Sequence, residues 1–304
     1  MLLQVLGTAA GGGVPQWNCA CSGCSGARAR PERRRRHASL AVRADQGRWY
    51  LVNATPDIGD QIEAHPVLHP GPGPRQTPVA GVVLTDAELD HTLGIARLRE
   101  AESLEILATG PVRQALQDRL RLGEVLGPYT ALTWRELPCH STRLLSVDAS
   151  VPSGGGVRIS AVPVSGKRPR YADDAPDDDS WVVALHLYDT ATGRSAVYAP
   201  AVAVWSDALH QVAAEADCVI VDGTFWDDEE PRRTGISSRT ATGMGHLPID
   251  GPGGTAGILA TLSARCLYTH LNNTNPLVDP TTAQHKRLAG LGIEVADDKM
   301  VIEL

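Results

Sequence analysis

The sequence predicts an α/β protein in which two β-sheets lie face to face between flanking helices, an αββα sandwich formed by a single domain over residues 1–304. Three observations predict it. Apolar runs of strand length recur at residues 2–6, 40–42, 49–52, 79–84, 157–164, 181–188, 196–198, 218–221, 266–268 and 294–296. Strands dominate the first third, and helical patterns alternate with strands afterwards, as layered sheets with outer helices require. With 304 residues and 42% hydrophobic content, the chain can bury a core of that size.

The elements follow in order. Residues 2–6 run into Gly7 without a charged leader, which reads as a first strand and not a signal peptide. The Pro- and Gly-rich stretch 65–78 reads as an exposed loop before the strand at 79–84. Pro111 stands at a first helical position and opens a helix over 112–122. Residues 173–179 carry five aspartates and are expected to face water. Ser206 is placed to cap a helix over 207–216, with Asp207 at its positive end. Gly251-Pro252-Gly253-Gly254 opens a helix over 255–264, either as a plain turn or with backbone N–H groups toward an anion. A last helix covers 282–289 and is closed by Gly290.

Composition excludes several classes. The formal charge is −7 and no long basic face appears, so nucleic acid is not an expected partner; Arg33 to Arg36 read as a solvated run. No stretch reaches the roughly 18 apolar residues of a membrane span. Of six cysteines, three are crowded at Cys19, Cys21 and Cys24, while Cys139, Cys218 and Cys266 are scattered. That is not a disulfide framework, and a cytoplasmic protein with reduced thiols is expected. A homodimer remains open.

Three apolar strands end in ligand-type residues. Residues 82–84 lead to Asp86, Glu88, Asp90 and His91; residues 218–221 lead to Asp222; residues 266–269 lead to His270. A charge at the end of a buried strand needs a partner or a metal. Asp90, His91 and His270 together make two imidazoles and one carboxylate, the ligand set of non-haem Fe(II) oxygenases, with Asp86 a further candidate ligand. Glu88 is expected as a fourth oxygen ligand or a base, Asp222 as a proton shuttle or tuning group, and His246 as an acid/base. Cys19-x-Cys21-x-x-Cys24 favours zinc, with a fourth ligand from elsewhere. Gly11-Gly12-Gly13 lacks the remainder of a phosphate loop.

The stretch Thr85-Asp86-Ala87-Glu88-Leu89-Asp90-His91 is similar to the metallo-β-lactamase signature His-x-His-x-Asp-His, with Asp86 and Glu88 where two histidines belong. A longer resemblance covers essentially the whole chain. Val5-Leu6-Gly7-Thr8-Ala9-Ala10-Gly11-Gly12-Gly13-Val14-Pro15-Gln16-Trp17-Asn18-Cys19 resembles the PqqB family of pyrroloquinoline quinone biosynthesis. So do Asn53-Ala54-Thr55-Pro56-Asp57-Ile58, Tyr198-Ala199-Pro200, Val221-Asp222-Gly223-Thr224, Met244-Gly245-His246-Leu247 and Thr269-His270-Leu271-Asn272-Asn273-Thr274-Asn275-Pro276.

The resemblance implies a metallo-β-lactamase fold near tRNase Z-like and phosphonate-pathway phosphodiesterases. It also implies a dismantled dinuclear zinc site: the further histidine and bridging aspartate of hydrolytic relatives are absent around Pro163-Val164-Ser165-Gly166 and Ala199-Pro200-Ala201. The implied activity is iron-dependent hydroxylation, with O2, of a tyrosine ring in a small cross-linked amino-acid substrate. Similar proteins serve pyrroloquinoline alkaloid pathways, which leaves a tryptophan-derived substrate open. The cysteine loop implies a structural zinc, with Asn273 standing where the phosphodiesterases supply a histidine. Two other readings compete: a zinc hydrolase, and a non-catalytic carrier of a quinone product.

Overall fold

Side-chain alternation along the strands decides the layering. The structure, a computed structural model, describes residues 1–44, 47–139, 143–145 and 156–304. Its strands are β1 (Leu2–Gly7), β2 (Ser39–Arg43), β3 (Trp49–Val52), β4 (Val79–Val83), β5 (Ser103–Ala108), β6 (Ala131–Glu136) and β7 (Arg143–Leu145). The remainder are β8 (Val157–Ser165), β9 (Val182–Asp189), β10 (Ser195–Ala199), β11 (Cys218–Asp222), β12 (Arg265–Thr269), β13 (Ile293–Val295) and β14 (Val301–Glu303). They form two seven-stranded sheets, ordered β14-β1-β2-β3-β4-β5-β6 and β13-β12-β11-β10-β9-β8-β7.

Because successive side chains point to opposite faces, each strand feeds two cores. Leu3, Val5, Leu40, Tyr50 and Val83 of the first sheet cluster with Ile159, Leu185, Tyr198, Ile220 and Leu267 of the second. The alternate residues Leu51, Val82, Ile106, Val197, Val219 and Val221 cluster with outer-layer residues such as Ile58, Val112, Leu209 and Leu288. The expected αββα sandwich is the architecture found.

Both sheets contain a parallel portion, β3 to β6 and β10 to β13. Parallel pairing brings carboxyl ends side by side: Asp222 on β11 is in register with Thr269 on β12, one residue before His270. The ligand-type residues therefore gather at one edge of the sandwich.

Several elements differ from expectation. The helix expected over 112–122 is broken: Gly110–Gln114 is α-helical, Ala115–Arg119 widens into a π-turn, and Arg121 adopts φ +51° before Leu122–Leu126. Residues 255–264 yield only the short helix Thr255–Leu259. Gly290 is the last residue of helix Ala283–Gly290, and the positive φ falls at Gly292. Ser206 does cap Asp207–Glu215, accepting from the Leu209 N–H. The cysteine loop runs into an unforeseen helix, Ser22–Ala29.

The charged runs are partly tied down. The aspartates of 173–179 are all exposed, as expected, with Asp174 beside Arg119 and Asp177 beside Arg168, each at 2.9 Å. Arg33 pairs with Asp279 at 2.6 Å, and Arg35 donates to Thr8 and to the Ala296 carbonyl. Among the described residues no helix is long and apolar enough to cross a membrane.

Candidate metal centre

His91 is aimed by the residues behind it. Beyond β4, Thr85 is fixed by Asn53, whose Oδ1 accepts from the Thr85 N–H at 3.0 Å and whose Nδ2 donates to Thr85 Oγ1 at 3.0 Å. Thr85 Oγ1 donates to Asp86 Oδ2 at 2.7 Å, and the Glu88 N–H donates to Asp86 Oδ1 at 2.9 Å. The same Asp86 Oδ2 lies 2.7 Å from His91 Nδ1. Asp86, expected as a candidate ligand, thus sits behind His91 with both oxygens engaged. It holds the His91 proton on Nδ1 and leaves Nε2 to face the cavity.

His270 is aimed in the same way. It follows β12 in a left-handed conformation, φ +57°. Its Nδ1 lies 2.8 Å from Thr224 Oγ1, which itself donates to Asp222 Oδ1 at 2.6 Å. Thr224 therefore accepts from His270 Nδ1, and again Nε2 is left free. Asp222 Oδ2 takes the Val202 N–H at 2.9 Å and lies 2.8 Å from His246 Nδ1. Asp222 is thus a buried bracket for two imidazoles, and His246 stacks on His270 with ring centroids 5.7 Å apart.

Asp90 completes the group. Its Oδ2 is 3.8 Å from His91 Nε2 and 3.8 Å from His270 Nε2. Gly11 packs against it so closely that a Cβ there would stand 2.9 Å from Asp90 Oδ2. His91 Nε2 and His270 Nε2 are both buried without a hydrogen-bond partner. Buried polar atoms are rarely left so. Two imidazole lone pairs and a carboxylate, all within 4.8 Å of one another, fit a divalent transition metal.

The carboxylates make the centre favourable to positive charge. Burial alone would lower the His91 imidazole, but the Asp86 and Asp90 carboxylates overcome it and push its pKa up to about 9. Asp90 is held well below the ordinary carboxylate range: burial opposes this, and the charges of His91 and His270 prevail. His270 is lowered, chiefly by burial. Burial also raises Glu88, with the Lys167 ammonium 3.6 Å away opposing it.

A cavity of about 720 Å³ opens above the group. Glu88, Lys167, Arg170, Tyr171, Arg239 and His246 are among the residues of its wall. Arg170 and Arg239 make no ion pair among the described residues. Sequence reasoning missed these cations, although the Lys167-Arg168-Pro169-Arg170-Tyr171 run after β8 was a visible signal. It also gave no role to Thr224, Asn53 or Thr85, whose importance lies in pairings across the fold.

The cysteines form a second cluster. Sulfurs of Cys19, Cys21 and Cys24 lie within 4.8 Å of one another, and all three thiols are free. Cys21 caps helix Ser22–Ala29, and Cys24 is buried in its first turn. Burial raises the Cys21 thiol to about 11, whereas the Cys21 backbone N–H lowers Cys19. Three convergent sulfurs fit zinc. Asn273, the expected fourth ligand, is at the cluster but donates from Nδ2 to Cys24 Sγ at 3.2 Å.

The fold and the paired histidine–carboxylate geometry define a class, the metallo-β-lactamase fold, and a model described as a β-lactamase superfamily domain matches residues 48–271. Curated relatives are more specific. Coenzyme PQQ synthesis protein B of Cupriavidus necator is 41% identical over 99% of both chains, and that of Methylococcus capsulatus is 38% identical over the whole of both. Zn(2+)-bound PqqB from Methylobacterium extorquens superposes over the full length of both chains with a TM-score of 0.88 and 32% identity. A diphosphatase of the PhnP family, 19% identical with a TM-score of 0.69, shares the fold. The chain belongs to the PqqB family.

Proposed function

We propose that this protein acts in the biosynthesis of coenzyme PQQ or a related quinone. It is an Fe(II)-dependent oxygenase that hydroxylates the aromatic ring of a tyrosine- or tryptophan-derived intermediate with O2. The observation that carries this reading is the pair of orphaned buried nitrogens, His91 Nε2 and His270 Nε2, beside the Asp90 carboxylate. Asp86 and Glu88 stand where hydrolytic relatives supply two histidines, so a second ion would find no imidazole there. Asp90, His91 and His270 would hold Fe(II), which would supply the one-electron chemistry that O2 requires.

The remaining roles belong to the chain. His246, braced through Nδ1 by Asp222, turns its other nitrogen to the cavity and takes the phenol or amine proton of the substrate. Glu88, whose carboxyl burial raises above its ordinary value, lines the same cavity and returns a proton. Arg170 and Arg239 meet substrate carboxylates. Zinc at Cys19, Cys21 and Cys24 is structural.

The test is anaerobic purification and metal analysis, then oxygen uptake with Fe(II) and an amino-phenol substrate, for wild type and His270→Ala. Uptake that needs iron and vanishes in the variant supports the oxygenase. Turnover with zinc and without oxygen would favour a hydrolase. Tight quinone binding with neither oxygen uptake nor metal at His91 and His270 would leave a carrier.

A further inference from the structure

The two ligand clusters share one turn. His270 ends it on one side and Asn273 on the other, and the segment between is held from both directions. Leu271 donates to the Thr8 carbonyl at 2.8 Å and accepts from the Ala10 N–H at 2.9 Å, while the Asn272 N–H reaches the Thr224 carbonyl at 3.1 Å. At the cysteine end, Asn273 Nδ2 donates to Cys24 Sγ at 3.2 Å and to Gln16 Oε1 at 3.3 Å. The Gln16 N–H also donates to Cys24 Sγ, at 3.3 Å. Helix Ser22–Ala29 presses on the turn as well: a Cβ at Gly23 would collide with the Asn273 carbonyl.

A second path runs through the glycines. Gln16 packs on Gly12, and Gly11 packs on Asp90. Of the three residues around the histidine–carboxylate centre, His270 and Asp90 are thus placed by segments that the cysteine cluster secures. Asn273, buried at 4% exposure, is where the turn that begins at His270 meets the cysteine cluster.

We propose that Asn273 is a positioning residue through which the cysteine cluster and the Asp90–His91–His270 centre reinforce each other's metal binding. The inference rests on the reading of those three residues as a metal site. When zinc binds, the Cys24 thiol becomes a thiolate, and the Asn273 Nδ2–H bond to it becomes charge-assisted and stronger. The turn is then ordered before the second ion arrives, and His270 Nε2 is already aimed. The second ion therefore loses less conformational freedom on binding. Coupling of this kind is reciprocal: an ion at the histidines must tighten zinc at the cysteines by the same factor.

The test is equilibrium competition for zinc between the cysteine cluster and a zinc-selective chelator, under anaerobic conditions, with and without cobalt(II) at the histidine–carboxylate centre. Cobalt occupancy is read by visible absorption, and His270→Ala serves as the protein that cannot fill that centre. In wild type, cobalt is expected to tighten zinc about tenfold, a coupling of the usual size for linked sites. In Asn273→Ala and Gln16→Ala, zinc still binds, but the coupling shrinks toward unity. Zinc affinity unchanged by cobalt in wild type overturns the proposal, even if the variants fail to fold. Full coupling retained in a folded Asn273→Ala assigns the link elsewhere and overturns the role of that residue. A wild type that takes up cobalt yet, when loaded with Fe(II) instead, consumes no oxygen refutes only the oxygenase reading. A wild type that takes up no cobalt at the histidines removes the metal centre, and this inference with it.

Discussion

Replacing Glu230 with Gln should stabilise the protein at neutral and alkaline pH and make little difference in acid. Glu230 is 1% exposed, and its two oxygens accept from the Trp226 N–H and the Thr274 hydroxyl, each at 2.6 Å. Burial raises its pKa from 4.5 to about 7 against these two hydrogen bonds. The folded state therefore holds the proton more tightly than the unfolded chain. Its contribution is fully present below the unfolded value and is lost as pH rises through the folded one. A shift from 4.5 to about 7 corresponds to a deficit of about 3 kcal/mol above neutrality, at 1.36 kcal/mol per unit.

Glutamine keeps the shape and never ionises. Its oxygen can accept from Trp226, and its amide can donate to Thr274 after the hydroxyl rotates. Urea unfolding of zinc-loaded wild type and Glu230→Gln from about pH 5 to about pH 8 checks this, through a stability difference that grows with pH to a plateau. A difference that stays constant across that range would refute the assignment of the titration to Glu230. A variant less stable than wild type at the alkaline end would show that the lost carboxylate hydrogen bonds outweigh the burial of charge.

Other outcomes follow from the same geometry. Asp86→Asn can present an N–H to His91 and move the imidazole proton to Nε2, so cobalt affinity at the centre should fall about ten- to a hundredfold, as seen for such outer partners. Titration followed by absorption checks this, and unchanged affinity would put the control of His91 elsewhere. Arg170→Ala and Arg239→Ala should each raise KM for a carboxylate-bearing substrate about tenfold with kcat little changed, the loss expected of one charge-assisted hydrogen bond. Equal effects on a substrate without carboxylates would argue against that role. Ile220→Ala, in the core between the sheets, should cost about 3 kcal/mol in denaturant unfolding; a cost below about 1 kcal/mol would mean that the sheets can close over the void.

The sequence was most readable where strands are buried on both faces. β4, β11 and β12 appear as continuous apolar runs, and each stops at a residue whose chemistry is wasted in a core. That is why Asp90, His91, Asp222 and His270 could be named together. β6 was missed because an edge strand with mostly exposed residues, Ala-Leu-Thr-Trp-Arg-Glu, carries little apolar signal. β5 and the short β14 were missed for want of length and contrast. The roles of Thr224 and Asn53 were illegible for a different reason. A hydroxyl between two imidazoles, or an amide bracing Thr85, exists only once β11 meets β12 and β3 meets β4. The break at Arg121, which lies in the left-handed region, is likewise something that helical periodicity does not reveal.

The spacing of the two clusters along the chain has a consequence for how the molecule comes into being. Cys19, Cys21 and Cys24 are neighbours in sequence, so the three thiols are together as soon as residue 24 has been made. Asp90 and His91 follow β4 in one sheet, whereas His270 follows β12 in the other, and nothing can gather them before the sheets have docked. During synthesis the thiols can hold zinc while most of the chain is still to come. The histidine–carboxylate centre, by contrast, is gathered only after β12 has joined its sheet and the two sheets have met. A nascent or truncated chain lacking β12 would present the three thiols but not His270, and so only one of the two clusters.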